Sequence, residues 1–281
     1  MTAAASAKIA PPVSPQPSPD RRAPRRVILC ADDFGLEPSV NDGILRLVEQ
    51  GRLGAVTCMV EQPAWRDGAA ALLALRDRAD AGLHLDLGTR SAAEMLALTA
   101  RGAVGLVDLA RLTERVRAQL DAFEDVAGSP PAFVDGHHHV HQIRPVRAAL
   151  LAVLHERYGG RIPYVRNVVP LRSRGAKAAI IAGLGARPLL RRLRADGIPH
   201  NPDFAGVYDL SARSDFPGLL RGWIADIADG GLIMCHPGLP GPGPVAAARG
   251  AELRHLGSDG FAADCTAAGV RLARPTETAT G

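Results

Sequence analysis

Lysine is nearly absent: Lys8 and Lys177 are the only two among 281 residues, and arginine supplies the rest of the 33 basic side chains. With abundant alanine and glycine, that skew reflects codon usage in a GC-rich genome rather than a phosphate-binding surface. The net charge of +4 is carried by residues 1–26, where five basic residues face one acid, so the remainder is neutral. Aromatics make up 4%, and arginines are interleaved with acids. Neither a basic stripe nor a base-stacking platform results, which excludes a nucleic-acid partner. No apolar run approaches the roughly 18 residues of a membrane span. The longest, such as 27–31 and 231–235, have strand length. The four cysteines (Cys30, Cys58, Cys235 and Cys265) show no CxxC spacing and no short-chain disulfide framework. Three lie within apolar runs, as small buried hydrophobes do, which suits a cytoplasmic location. GxGxxG, Walker A and GxSxG are also missing, against dinucleotide, P-loop and serine-hydrolase chemistry.

Length and composition fit one large α/β barrel or two small domains. The first 26 residues contain six prolines among Ala, Ser and Gln, too little apolar area to offset ordering entropy. Their arginines come last and no apolar run precedes them, unlike a signal peptide. The reading is a disordered Pro/Ala-rich tail over 1–25 and a single folded domain over 26–281.

Short apolar runs then alternate with helical spacing. Strands are expected at 27–31, 55–60, 81–87, 132–135, 162–165, 231–235 and 270–272. Helices are expected at 39–50, 63–78, 108–126, 146–158, 176–195, 216–228 and 245–256. Strands buried as continuous apolar runs, each followed by a helix, imply a parallel sheet covered on both faces. About seven such units suggest a distorted, TIM-like (β/α) barrel of the α/β class, with a doubly wound open sheet as the alternative.

Polar residues track the strand ends. Asp32-Asp33 follow the first strand, and His84 lies in the third. The fourth runs into Asp135-Gly136-His137-His138-His139-Val140-His141, the fifth ends at Arg166, and His236-Pro237-Gly238 follows the run at 231–235. Parallel barrel strands present their C-terminal ends on one face, where barrel active sites sit. Singly, each element has a bland reading as a cap, turn or core histidine. Together, carboxylates and imidazoles have the composition of a divalent-metal site. Successive residues leaving a strand point in different directions, so Asp32 and Asp33 divide the work: one binds metal, the other accepts a proton from water.

In order and spacing, ADDFG (31–35), GLHL (82–85), DGHHHVH (135–141) and MCHPG (234–238) resemble the YdjC-like carbohydrate deacetylases, the group of the chitooligosaccharide and hopanoid-associated deacetylases. The resemblance covers about residues 26–275. It implies a distorted (β/α) barrel, a divalent metal (Mg²⁺, with Zn²⁺ as the alternative), a weak expectation of a homodimer, and removal of acetyl from an N-acetylated sugar. It makes Asp33, His84 and His137 the metal ligands, Asp32 the catalytic base and His236 the general acid, with His139, His141 and Arg166 around the substrate. Gly231 stands where the family pattern has an acid before LIMCHPG. A metal phosphoesterase or isomerase on the same barrel, or a non-catalytic sugar-binding protein using Trp65, Trp223, Tyr158, Tyr164 and Tyr208, are the rival readings.

Overall fold

Seven parallel strands run side by side in the computed structural model, which describes residues 23–89, 92–241 and 243–278. They are β1 (Arg25–Phe34), β2 (Ala55–Cys58), β3 (Asp80–Leu85), β4 (Phe133–Gly136), β5 (Tyr164–Val165), β6 (Phe204–Ala205) and β7 (Gly231–Cys235), in the spatial order β5-β4-β3-β2-β1-β7-β6. A short β8 (Val270–Leu272) lies along the first residues of β1, on the edge that β2 occupies further along. The sheet's two ends meet without a ladder. The Val165 amide donates to Pro199 O at 2.9 Å. Asn201 Oδ1 accepts from the Asn167 amide at 2.8 Å, and its Nδ2 donates to Asn167 O at 2.6 Å. An asparagine clasp thus brings the ends together, and the result is the expected distorted barrel. The segment 1–22, most of the expected tail, lies outside the described residues; β1 begins at Arg25.

Strand alternation sorts the side chains into two layers. Val27, Leu29 and Ala31 of β1, Val56 and Cys58 of β2, Leu83 and Leu85 of β3 and Ile233 and Cys235 of β7 join the helices in the outer core. Ile28 and Cys30, Ala55, Phe133, Tyr164, Phe204, Leu232 and Met234 fill the barrel interior. The interior row of each strand, continued to its C-terminal end, reaches Asp32, Thr57, His84, Asp135, Arg166 and His236. Of the expected site residues, Asp32, His84, Arg166 and His236 thus end the rows that build the inner core, while Asp33 is the next residue of β1 and His137 lies just beyond β4.

Three expectations change. The predicted helix 176–195 is two, Ala176–Gly183 and Ala186–Ala195, broken at Gly185. Its φ of +127° suits glycine, and a Cβ there would sit 2.3 Å from Gln142 O. Helices Ala92–Ala103 and Asp259–Ala267 were not expected, and neither was the two-residue β6. Gly35 ends the first motif for a similar reason. At φ +96° it turns the chain from β1 toward helix Pro38–Glu49, with Met59 O 2.8 Å from where a Cβ would stand. Asn41 fastens this turn, accepting from the Gly35 amide at 2.6 Å and donating to Ala64 O at 2.9 Å.

Candidate metal centre and its surroundings

Asp33, the residue after the interior row of β1, has a left-handed φ of 72°. That conformation is costly for a non-glycine residue. It accompanies a carboxylate that sits beside two imidazoles: Oδ1 is 3.1 Å from His137 Nδ1 and 3.5 Å from His84 Nε2. Two ligands about 2.1 Å from a common ion at a tetrahedral angle lie roughly 3.4 Å apart, so these spacings suit a shared cation. Asp33, His84 and His137 thus form a three-residue cluster of metal-ligating atoms. The cluster brings together the three residues that the family resemblance makes ligands.

The chemistry behind the cluster also fits. His84 Nδ1 lies 2.5 Å from Asp135 Oδ1, which in addition accepts from Thr57 Oγ1 at 2.7 Å. A carboxylate on one ring nitrogen fixes the tautomer and turns the other toward an ion. Burial works against an imidazolium at His84, but Asp135, Asp33 and Asp32 outweigh it and hold the pKa up at about 10. A cation arriving at Nε2 takes the place of a proton. At Asp33 burial opposes ionisation, yet His137, His84 and Arg249 hold the carboxyl well below its usual range.

Asp32 faces a different partner. Arg166 donates from Nη1 to Oδ2 at 2.7 Å and from Nη2 to Oδ1 at 2.6 Å, a two-pronged pair that guanidinium geometry favours. The same Nη2 lies 2.6 Å from Asp135 Oδ2 and donates to Cys30 Sγ at 3.1 Å. Burial opposes the Asp32 charge, but Arg166 outweighs it, and the carboxyl stays below the ordinary carboxylate range. Cys30, Asp32 and Asp135 make a second group of metal-ligating side chains. Arg166 already supplies their positive charge.

Arg166 is fully buried, which revises its expected place around the substrate: it stands behind Asp32 and Asp135. His141 is equally buried, its Nε2 donating to Arg166 O at 3.0 Å, and burial holds its pKa down at about 4. His139 is buried edge-on against Phe204, with ring centroids 5.8 Å apart. The HHH run is a tight turn with His138 and His139 at φ 52° and 60°. It leaves His137 half-buried toward Asp33 and sends His139 and His141 inward.

His236 is half-buried beyond β7, and burial pulls its pKa down to about 4 against the charges of Asp33 and Asp32. Two residues absent from the sequence-derived set surround it. Arg249 Nη2 donates to Asp33 Oδ2 at 2.5 Å, and Glu252 accepts from the His236 amide. Burial raises the Glu252 carboxyl to about 7 despite hydrogen bonds from Tyr208 and that amide. Glu252 is fully buried and brings an acid to the C-terminal end of β7, at the opposite end of the strand from Gly231.

A family model for YdjC-like proteins matches residues 26–267. The human carbohydrate deacetylase is 28% identical over 252 residues, spanning 78% of this chain and 77% of its own. A chitooligosaccharide deacetylase of Salmonella typhimurium is 34% identical over 143 residues, 46% of this chain and 56% of its own. Among solved structures, an Enterococcus faecalis protein provisionally described as acting in cellobiose-phosphate cleavage superposes with a TM-score of 0.69. It has 21% identity and covers 92% of this chain and 100% of its own. That likeness extends the barrel fold, while the family match runs from β1 through the last long helix and takes in all four strand-end motifs. On that match the chain belongs to the YdjC-like family.

Proposed function

We propose that this chain is a metal-dependent hydrolase that removes the acetyl group from an N-acetylated sugar. Its family membership and the names of its deacetylase relatives support the reaction class. The observation that carries the reading is the convergence of Asp33, His84 and His137 beside a buried, ionised Asp32. These three residues would hold a divalent cation, which when bound polarises the acetyl carbonyl and acidifies water. Two imidazoles and one carboxylate favour a first-row ion such as Zn²⁺ over Mg²⁺, which prefers oxygen ligands.

The chain's own residues then move one proton. Asp32, kept ionised and oriented by Arg166, accepts it from the attacking water. Gripped at both oxygens, Asp32 is a weak resting base, so the proton passes on. His236 enters unprotonated and becomes an acid only by taking up a proton released in the attack. It returns that proton to the departing nitrogen as the C–N bond breaks.

The rivals fit less well. A phosphoester would call for cationic groups at the mouth, whereas Arg166 and Arg249 are committed to Asp32, Asp135 and Asp33. A sugar-binding platform would call for exposed aromatics, and Trp65, Trp223 and Tyr164 are buried. No helix among the described residues is long and apolar enough to cross a membrane. The four free cysteines support a cytoplasmic setting as part of this proposal.

The test is acetate release from a panel of N-acetylglucosamine-containing sugars by the Zn²⁺-loaded protein. Release establishes the deacetylase, and the preferred member of the panel identifies the substrate type. A metal-loaded protein that releases none from any member overturns the reaction. Separately, His137→Ala is expected to weaken Zn²⁺ binding by more than the roughly 10–100-fold that losing an outer partner costs. Titration against a chromophoric chelator reads this without reference to turnover, and an unchanged affinity would remove His137 from the ligand set.

A further inference from the structure

We propose that Arg249 and Glu252, one turn apart on helix Ala246–Leu256, act as a pair of positioning residues that lock the Asp33 carboxylate to the His236 peptide. The proposal rests on the metal-centre reading above and extends it to a helix that no strand-end motif includes. Both side chains are buried. Arg249 spans the two sides of the site: Nη2 donates to Asp33 Oδ2 at 2.5 Å, and Nη1 reaches His236 O at 3.4 Å. Glu252 takes the other end of the same residue, accepting the His236 amide proton on Oε2 while Oε1 accepts from the Tyr208 hydroxyl at 2.5 Å. The main chain of His236 is therefore held at both its N–H and its C=O by one helical turn.

The grip matters because one nitrogen of the imidazole goes unheld. Its Nδ1 is buried with no hydrogen-bond partner among the described residues. The ring's place then follows from its backbone. The loop beyond it is fixed in the same way: the Gly238 amide donates to Arg249 O at 3.3 Å, and the Leu239 amide to Ser39 O at 2.8 Å. Arg249 has a second effect. By occupying Oδ2 of Asp33 it leaves Oδ1 as the oxygen turned to His137 and His84, so the carboxylate offers a cation one oxygen in a set orientation. Outer partners of this kind tune metal affinity by holding the ligand's geometry.

The test uses the full chain and Zn²⁺ alone as the first probe. Arg249→Met is expected to weaken Zn²⁺ binding about 10–100-fold while the protein still unfolds cooperatively. Should that variant not fold, Arg249→Gln, which keeps a donor but neither the charge nor the two-ended reach, carries the same expectation. Wild-type affinity in a folded Arg249 variant overturns the proposal. Acetate release supplies the second probe. Glu252→Leu is expected to lower kcat about tenfold or more with KM held, and Glu252→Gln to restore most of the loss. The glutamine can accept from the His236 amide and donate to the Tyr208 oxygen. A Glu252→Leu variant with wild-type kcat, or a loss that glutamine does not rescue, overturns the grip on His236. If the wild type releases no acetate, the deacetylase reading fails, and the Zn²⁺ titration still decides whether Arg249 orients Asp33.

Discussion

Asp32→Asn is expected to reduce kcat for acetate release by about 10²–10⁴-fold, the range over which a positioned general base contributes. Its Zn²⁺ affinity is expected to stay near that of the wild type. The two readouts separate because the cluster atoms belong to Asp33, His84 and His137, while Asp32 is turned to Arg166. Asparagine preserves the size of the side chain and one oxygen for the guanidinium, but it cannot accept the proton of water. Arg166 keeps its contact with Asp135 Oδ2 in the variant, so the buried cation is not stranded. Turnover at the wild-type rate would show that another group takes the proton, and His236, unprotonated at neutral pH, would be the next candidate.

The barrel and its chemical rim were legible because one alternation produces both. Continuous apolar runs marked the strands, and the polar residues at their ends continue the interior rows, as with Cys30 to Asp32 and Phe133 to Asp135. Depth was not legible. One step of two residues along a strand separates a group at the mouth from one beneath it, and nothing in IPYVR shows that Arg166 is sealed behind two carboxylates. Arg249 and Glu252 escaped because their helix reads as alanines with scattered charges, and a charged residue in such a segment is ordinarily solvated. Their burial is a tertiary fact: Gly43 lets helix Pro38–Glu49 approach so closely that a Cβ there would lie 2.7 Å from Gly238 Cα, and helix Ala246–Leu256 packs on the other side of that loop. The two residues of β6 form no pattern at all, and its ladder with β7 exists only once the sheet has wrapped.

Arg166→Leu tests the buried charge balance beneath the site, and its expected effect is on stability. Arg166 faces Asp32 through two hydrogen bonds and Asp135 through an ion pair, all fully desolvated. Removing one member of a buried ion pair costs about 3–5 kcal/mol, because the remaining charge keeps its desolvation penalty and loses its partner. Here two carboxylates lose a shared cation. The pH dependence gives the sign of the effect. In the wild type the Asp32 carboxyl is depressed, so its contribution is present above the unfolded-state value of about 3.9 and is lost as pH falls. In the variant, burial without Arg166 raises the same carboxyl above that value. Folding then favours the protonated form, and stability falls as pH climbs through the raised pKa. Urea unfolding at pH 5 and pH 8 is therefore expected to show the larger deficit at pH 8. A variant as stable as the wild type at pH 8 would mean that His84 or water neutralises Asp32 and Asp135 on its own, and that Arg166 orients the base without sustaining its charge.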